Sequence, residues 1–288
     1  MSFYNNIFYQ KTKDYSVSKE VFDLHYNAEY DMLLTFPKPS LEDLPHYYES
    51  EDYISHTDGK RSLFEKMYQI IKGIAIQKKI KLINSISDKG TLLDIGAGTG
   101  DFLFFAKKNN WNVTGIEPNL KAKNNAIQKG VSFADNLALL ESHSFDVITM
   151  WHVLEHVPNL EEYISELKRL VKPTGTIIIA VPNFKSFDAN YYQEFWAAYD
   201  VPRHLWHFSK TAIKNLFAKQ QLDLIEVLPM KFDSYYVSLL SEKYKNGKMN
   251  FLKALWIGWK SNQYGKHKKE YSSHIYVIKN KFNNKTSS

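Results

Sequence analysis

The chain has 288 residues, 44% hydrophobic and 24% charged, which makes a globular protein of one large domain with appended parts the default. It contains no cysteine, which excludes disulfides, iron–sulfur clusters and thiolate zinc sites and fits a reducing compartment. The formal charge of +6 is uneven: from Ser241 onward eleven lysines and no arginine stand against Glu242 and Glu270, a local +9 that leaves −3 for the rest.

The first twenty residues, MSFYNNIFYQKTKDYSVSKE, lack a basic stretch followed by an apolar run, so no signal peptide is expected. Runs such as TIIIAV (176–181) are too short to span a bilayer, and the expected location is the cytoplasm, with no membrane partner. Residues 1 to about 85 follow no clear period and read as an N-terminal extension packed on the core. FPKPSLEDLP (36–45) is its connector, and LFEKMYQIIKGIAIQKKIKLINSI (63–86) is a long helix leading into the first core strand.

From residue 91 strand and helix patterns alternate. TLLDI (91–95), NVTGIE (112–117), VSFA (131–134), FDVITMW (145–151) and GTIIIAVP (175–182) read as strands. Between them lie the helical patterns DFLFFAKKNN (101–110), the Asn-capped NLKAKNNAIQKG (119–130) and the Pro-terminated LEEYISELKRLVKP (160–173). A further helix, SKTAIKNLFAKQQ (209–221), and the strands LDLIEVL (222–228) and SHIYVIKN (273–280) follow. This rhythm predicts an α/β fold: a doubly wound, mostly parallel Rossmann-like sheet with helices on both faces, binding its ligand at the carboxyl ends of the strands. The core domain spans 86–288, with an aromatic insertion at about 183–205 and a helical one at about 233–270. The lysine-rich part reads as a solvated surface with a disordered tail, NKFNNKTSS, or as a site for an anionic partner. The absence of Arg, the usual residue for forked phosphate and base contacts, favours the solvated surface and makes nucleic acid an unfavoured partner.

LLDIGAGTGDF (92–102) carries the most information. Gly96, Gly98 and Gly100 between a strand and a helix let the backbone turn tightly and approach a ligand. The nicotinamide fingerprint would want a third glycine at 101, where Asp101 stands, and would rarely place an acid at Asp94. Glu117, ending the next strand, is placed to accept hydrogen bonds from two ribose hydroxyls.

DIGAGTG resembles motif I of the class I S-adenosylmethionine-dependent methyltransferases, and the resemblance runs in order over about 190 residues, from Thr91 to Asn280. GIEPN (115–119) is similar to the ribose-binding motif, FADNLALL (133–140) to the adenine-binding turn, and FDVITMWHVLEHVPN (145–159) to the fourth strand and its cofactor-facing loop. LVKPTGTIIIAVPN (170–183) is similar to the fifth strand, and PRHLWHFS (202–209) resembles a signature of the branch with ubiquinone-type O-methyltransferases and sugar methyltransferases. The resemblance implies S-adenosyl-L-methionine as cofactor, held by Asp94, Gly96, Ala97, Gly98, Thr99, Gly100, Glu117, Pro118, Asp135, Asn136, Met150, Trp151 and His152. Relatives often carry a Cys-x-x-Cys zinc segment before the core; here Asn27 and Tyr30 stand at those positions, so that segment is a degenerate one without zinc.

The same resemblance reassigns a second pattern. His152-Val-Leu-Glu155-His156 spells the H-x-x-E-H zinc signature of inverted metalloproteases. Pro158 argues against a long ligand-bearing helix, no third ligand is marked, and the family places this stretch at the methionine end of the cofactor, so no metal is expected. Methyl transfer to a hydroxyl, amine or acidic carbon is helped by a general base, and His is the usual one near neutral pH. His152 is the first candidate, with a cofactor-contacting or structural ring as its alternative; His204 and His207 are further catalytic candidates that could equally fix their own loop, and His156 reads as a packed histidine. The segment 183–208, with Phe184, Phe187, Tyr191, Tyr192, Phe195, Trp196 and Tyr199 off any regular period, is expected to form a mobile lid. The expected function is transfer of a methyl group to a small molecule. A non-catalytic cofactor-binding module and an RNA methyltransferase are the alternatives.

Overall fold

The structure, a computed structural model, describes residues 6–40, 42–48 and 63–281; the tail expected to be disordered lies outside them from residue 282. The alternating pattern folds into seven strands in the order β10–β11–β8–β7–β4–β5–β6. These are β4 (Thr91–Ile95), β5 (Asn112–Ile116), β6 (Ser132–Phe133), β7 (Phe145–Trp151), β8 (Val171–Pro182), β10 (Leu222–Pro229) and β11 (Ser273–Asn280). Strands β6, β5, β4, β7 and β8 pair in parallel, and β11 runs antiparallel to both its neighbours. The order reverses at β4, so the loops after β4 and β7 open a crevice at the carboxyl edge.

Local sequence explains the helix boundaries. Helix α1 (Leu63–Ile86) leads into β4, and α2 (Asp101–Lys108) starts directly after the glycine loop. Asn119 caps α3 (Leu120–Gln128) by accepting from the Ala122 amide at 3.0 Å, and Ser209 caps α6 (Lys210–Lys219) in the same way through Ala212. In α4 (Leu160–Leu170) Leu160, Ile164, Leu167 and Leu170 form one buried stripe against the sheet, at helical spacing. Among the described residues no helix is long and apolar enough to cross a membrane.

The N-terminal extension is itself a sheet. Strands β1 (Asn6–Lys13), β2 (Val21–Asn27) and β3 (Met32–Phe36) form an antiparallel meander that recruits β9 (Trp206–His207) as its fourth strand. At the positions of the missing cysteines, Asn27 Oδ1 accepts from the Tyr30 amide at 3.0 Å, so a side-chain hydrogen bond closes the β2–β3 turn. Asp31 then accepts from Lys185 and Ser209, and Asp14 from Arg203, tying the extension to the core domain at two places.

The aromatic insertion is packed for most of its length. Phe184, Tyr192, Trp196 and Tyr199 are buried in a second apolar core with Phe22, Leu24 and Leu33 of the extension. Val237 of α7 (Asp233–Asn246) and Ile257 of α8 (Phe251–Lys268) complete it. Buried Asp188 ties α5 (Phe187–Tyr192) down, accepting from Trp196 Nε1 at 2.8 Å and from the hydroxyls of Ser261 and Ser272. Phe187 and Tyr191 pack partly buried against the same core, so aromatics on one short helix and short turns share it without a long period. Lys245 on α7, Lys248 in the loop after it, and Lys260, Lys266 and Lys268 on α8 are exposed, as a solvated lysine face would be.

Candidate functional site

The loop after β4 is shaped by three glycines with positive φ, 71° at Gly96, 53° at Gly98 and 72° at Gly100. A side chain at Gly96 would strike Val153 at 2.4 Å, and one at Gly100 would strike Ala126 at 2.5 Å. At Gly98 a Cβ would meet nothing within 4 Å, so this glycine borders open space where a ligand can approach the backbone. The Gly96 and Ala97 amides bond to the Ile116 carbonyl, which closes the loop onto β5. Asp101, at the fingerprint's third glycine position, joins Lys72 of α1 to Lys129, each at 2.6 Å, and so braces the start of α2. Thr99 donates to the same carboxylate.

Glu117 reaches back across the crevice. Its Oε2 accepts from the Gly98 amide at 2.7 Å and its Oε1 from the Asn119 amide at 2.8 Å, which fixes the carboxylate beside the loop. Asp94 is buried at the end of β4 and accepts from the Thr149 hydroxyl at 2.6 Å. Burial, with Glu117 adding to it, pushes this carboxyl up to about 7, against the Thr149 bond and the charge of Lys79. Lys79, on α1, stands with its Nζ 4.3 Å from the centroid of the Trp151 ring. Burial draws its pKa down to about 8, while Asp94 and Asp233 pull the other way. Lys79 and Asp94 are thus coupled electrostatically beside the loop, and among the described residues the buried Trp151 Nε1 has no hydrogen-bond partner.

His152 follows β7 in a left-handed conformation, φ 58°, that turns its ring between two carboxylates. Its Nδ1 lies 3.3 Å from Glu155 Oε1 and its Nε2 3.0 Å from Asp233 Oδ2. Burial disfavours charge on the ring, but Asp233 and Glu155 overcome it and raise the pKa to about 10. In this arrangement His152 is an imidazolium bridging β7 to α7.

The expected site residues divide accordingly. Asp94, Gly96, Ala97, Gly98, Thr99, Gly100, Glu117, Pro118, Trp151 and His152 lie at or just beyond the carboxyl ends of β4, β5 and β7. Asp135 and Asn136 follow β6; Asp135 is exposed and paired with Lys123, and Asn136 caps the turn that follows. Met150 belongs elsewhere: it is fully buried in the main core, because its side chain falls on the inner face of β7. His207 lies on β9 within the extension sheet, its Nε2 3.0 Å from Thr35 Oγ1 on the neighbouring β3 and its ring edge-on to Tyr199, and burial holds it neutral. His204 is buried too, with Nδ1 2.9 Å from the Ala198 carbonyl and its ring packed edge-to-face on His156 at 4.6 Å. Sequence reasoning missed Lys79, one lysine among several in its helix, and Asp233, in an insertion with no motif.

A family model described as a methyltransferase domain matches residues 68–227, more than half of the chain, and the chain belongs to that family. It is 37% identical over 102 residues to a ubiquinone biosynthesis O-methyltransferase of Colwellia psychrerythraea, covering 32% of this chain and 42% of that protein. Against the protein of the same name from Actinobacillus pleuropneumoniae the identity is 27% over 169 residues, 53% of this chain and 72% of the other. The chain thus spans about two fifths of the length of the first of these curated relatives. Among solved structures it is similar to geranyl diphosphate C-methyltransferase from Streptomyces coelicolor, with a TM-score of 0.55 at 13% identity over 84% of this chain and 97% of the other. A phosphoethanolamine N-methyltransferase from Haemonchus contortus gives 0.53 at 16% over 85% and 61%. These likenesses show the shared fold.

Proposed function

We propose that the chain is an S-adenosylmethionine-dependent methyltransferase acting on a small molecule that carries an ionisable hydroxyl. The observation that carries this is the placing, at the carboxyl ends of β4, β5 and β7, of a glycine loop open at Gly98, the Glu117 carboxylate, the coupled Asp94 and Lys79, and a histidine held by a buried glutamate. The fit to the cofactor is specific in charge: Glu117 would accept from ribose hydroxyls, Asp94 would face the ammonium of the methionine part and Lys79 its carboxylate. When bound, the cofactor supplies a methyl group on a positive sulfur, which leaves as a neutral thioether and needs no acid to expel it.

The chain's own residues then have to align the acceptor, exclude water and take its proton. Glu155 holds His152 through Nδ1, which leaves Nε2 as the atom able to receive a proton once Asp233 gives up its place to the acceptor hydroxyl. The names of the relatives, O-methyltransferases of ubiquinone biosynthesis, support oxygen as the nucleophile. An anionic acceptor is a narrower reading, supported only by the lysine content of the C-terminal part. Calorimetry with S-adenosylhomocysteine tests the binding half: Glu117→Ala is expected to weaken affinity by roughly 1–3 kcal/mol, the scale for losing charged hydrogen bonds. An unchanged affinity would remove Glu117 from the site. Methyl transfer to a panel of hydroxyl, amine and carbon acceptors tests the rest.

A further inference from the structure

Next to His152, one carboxylate and two imidazoles converge. Glu155, His156 and His204 each offer an atom to a group whose members all lie within 4.8 Å of one another. Glu155 is fully buried, and among the described residues neither Oε1 nor Oε2 has an aligned hydrogen-bond partner, His152 being paired with Oε1 by charge. The approach of His152 Nδ1 to Oε1, 3.3 Å, is an ion-pair contact without hydrogen-bond alignment, and Oε2 is left with nothing. Buried carboxylates are otherwise bonded, paired or ligated.

Both imidazoles are oriented from behind. His156 Nδ1 lies 3.0 Å from the Arg203 carbonyl and His204 Nδ1 lies 2.9 Å from the Ala198 carbonyl. A carbonyl can only accept, so Nδ1 carries the proton in each ring, the Tyr48 hydroxyl 3.1 Å from His156 Nδ1 being a second acceptor there, and the Nε2 lone pair is left for another partner. A backbone carbonyl behind Nδ1 is the arrangement that metal-ligating histidines use to fix tautomer and ring direction. Asp200 adds negative charge, its Oδ2 3.9 Å from His204 Nε2, and it is itself held by Arg203. His156 is only partly buried and gives the cluster a side open to solvent.

We propose that Glu155, His156 and His204 bind one divalent transition-metal ion of the zinc class. Two imidazoles and one carboxylate suit zinc or a similar first-row ion, whereas magnesium and calcium prefer all-oxygen sets. The inference stands on this cluster alone and not on the methyltransferase reading. It also reverses the expectation of no metal, in a form that the H-x-x-E-H spacing does not describe. In that pattern two histidines one helical turn apart are the ligands. Here Leu154–His156 is a short 3-10 turn, His152 has both ring nitrogens engaged by Glu155 and Asp233, and the second imidazole comes from His204, 48 positions beyond His156.

The test is metal binding by the whole chain. Protein stripped with chelator and dialysed against zinc should retain one equivalent by elemental analysis. Cobalt(II) should give visible absorption that zinc abolishes, and X-ray absorption of the zinc form should count two imidazoles with oxygen. Glu155→Gln and His204→Gln should each weaken binding at least tenfold, while His152→Ala and the exposed His267→Ala should retain it. Thermal melts identify a variant that fails to fold, and the wild-type spectra decide the matter in that case. Substoichiometric zinc, a cobalt spectrum that survives His204→Gln, or loss of binding in His267→Ala would each overturn the site.

Discussion

His152 shows how far a single residue's environment can move it from its expected role. A histidine chosen as a base for its ordinary pKa near neutrality instead lies between Asp233 and Glu155 with a pKa raised to about 10. A base must be unprotonated to act, so free enzyme at neutral pH holds His152 in the wrong state until Asp233 moves. Replacing Asp233 by Asn removes one of the two charges that favour the imidazolium. The pKa of His152 should fall, and the acidic limb of the kcat/KM–pH profile should move down by roughly 1–3 pH units. An unmoved limb would show that His152 is not the group titrating in catalysis. The glycine loop and Glu117 were legible in the sequence because turn chemistry and strand ends are local features. Asp233 and Lys79 were not, since nothing near either residue in the chain marks it, and only the fold brings them to the crevice.

The insertion between β8 and β9 teaches the same lesson for whole elements. Strands β4, β7 and β11 and helix α1 could be read to the residue because each carries its own period and its own stops. The insertion has neither, and its partners, Phe22, Leu24 and Leu33, lie some 150 positions earlier in strands that the sequence did not announce. Aromatics without a period read as a cover, and in the structure Phe184, Tyr192, Trp196 and Tyr199 build a core. Packed as they are, the amides around Tyr192–Phe208 should exchange slowly in protein without ligand, and S-adenosylhomocysteine should change them little. His207→Ala should remove the contacts to Thr35 and Tyr199 and leave a cavity under β3. A loss of roughly 2–3 kcal/mol in urea unfolding is expected. Affinity for S-adenosylhomocysteine should be unaffected, because His207 is a residue of the extension sheet, away from the loops after β4 and β5. A large fall in affinity with little loss of stability would restore His207 to the site.

For the molecule as a whole, the seven-stranded sheet and the extension sheet are held together partly by carboxylates that must stay ionised. Burial works against the charge on Asp14, but Arg203 and the Ser18 and Val17 amides hold its carboxyl well below the usual range. Asp31 is lowered in the same sense, burial again opposing, by Lys185, Ser209 and Tyr26, and Asp200 by Arg203. A carboxyl whose folded pKa lies below its unfolded one binds more protons in the unfolded chain. Its contribution is complete above the unfolded value, about 3.9 for Asp, and is lost as pH falls toward the folded value. The apolar contacts of the second core do not titrate, so acid should act on the joint between the two sheets rather than on either interior. Urea midpoints followed by tryptophan fluorescence should show these groups contributing fully between pH 7 and 5 and failing below about 4. Other acids titrate there too, so the comparison that matters is with the variant Asp14→Asn, Asp31→Asn. It should be less stable than wild type at pH 7 and should lose less on acidification, the two curves converging toward pH 3. Parallel curves over that range would mean that the sheets are joined by packing alone and that Arg203 and Lys185 gain nothing measurable from their partners.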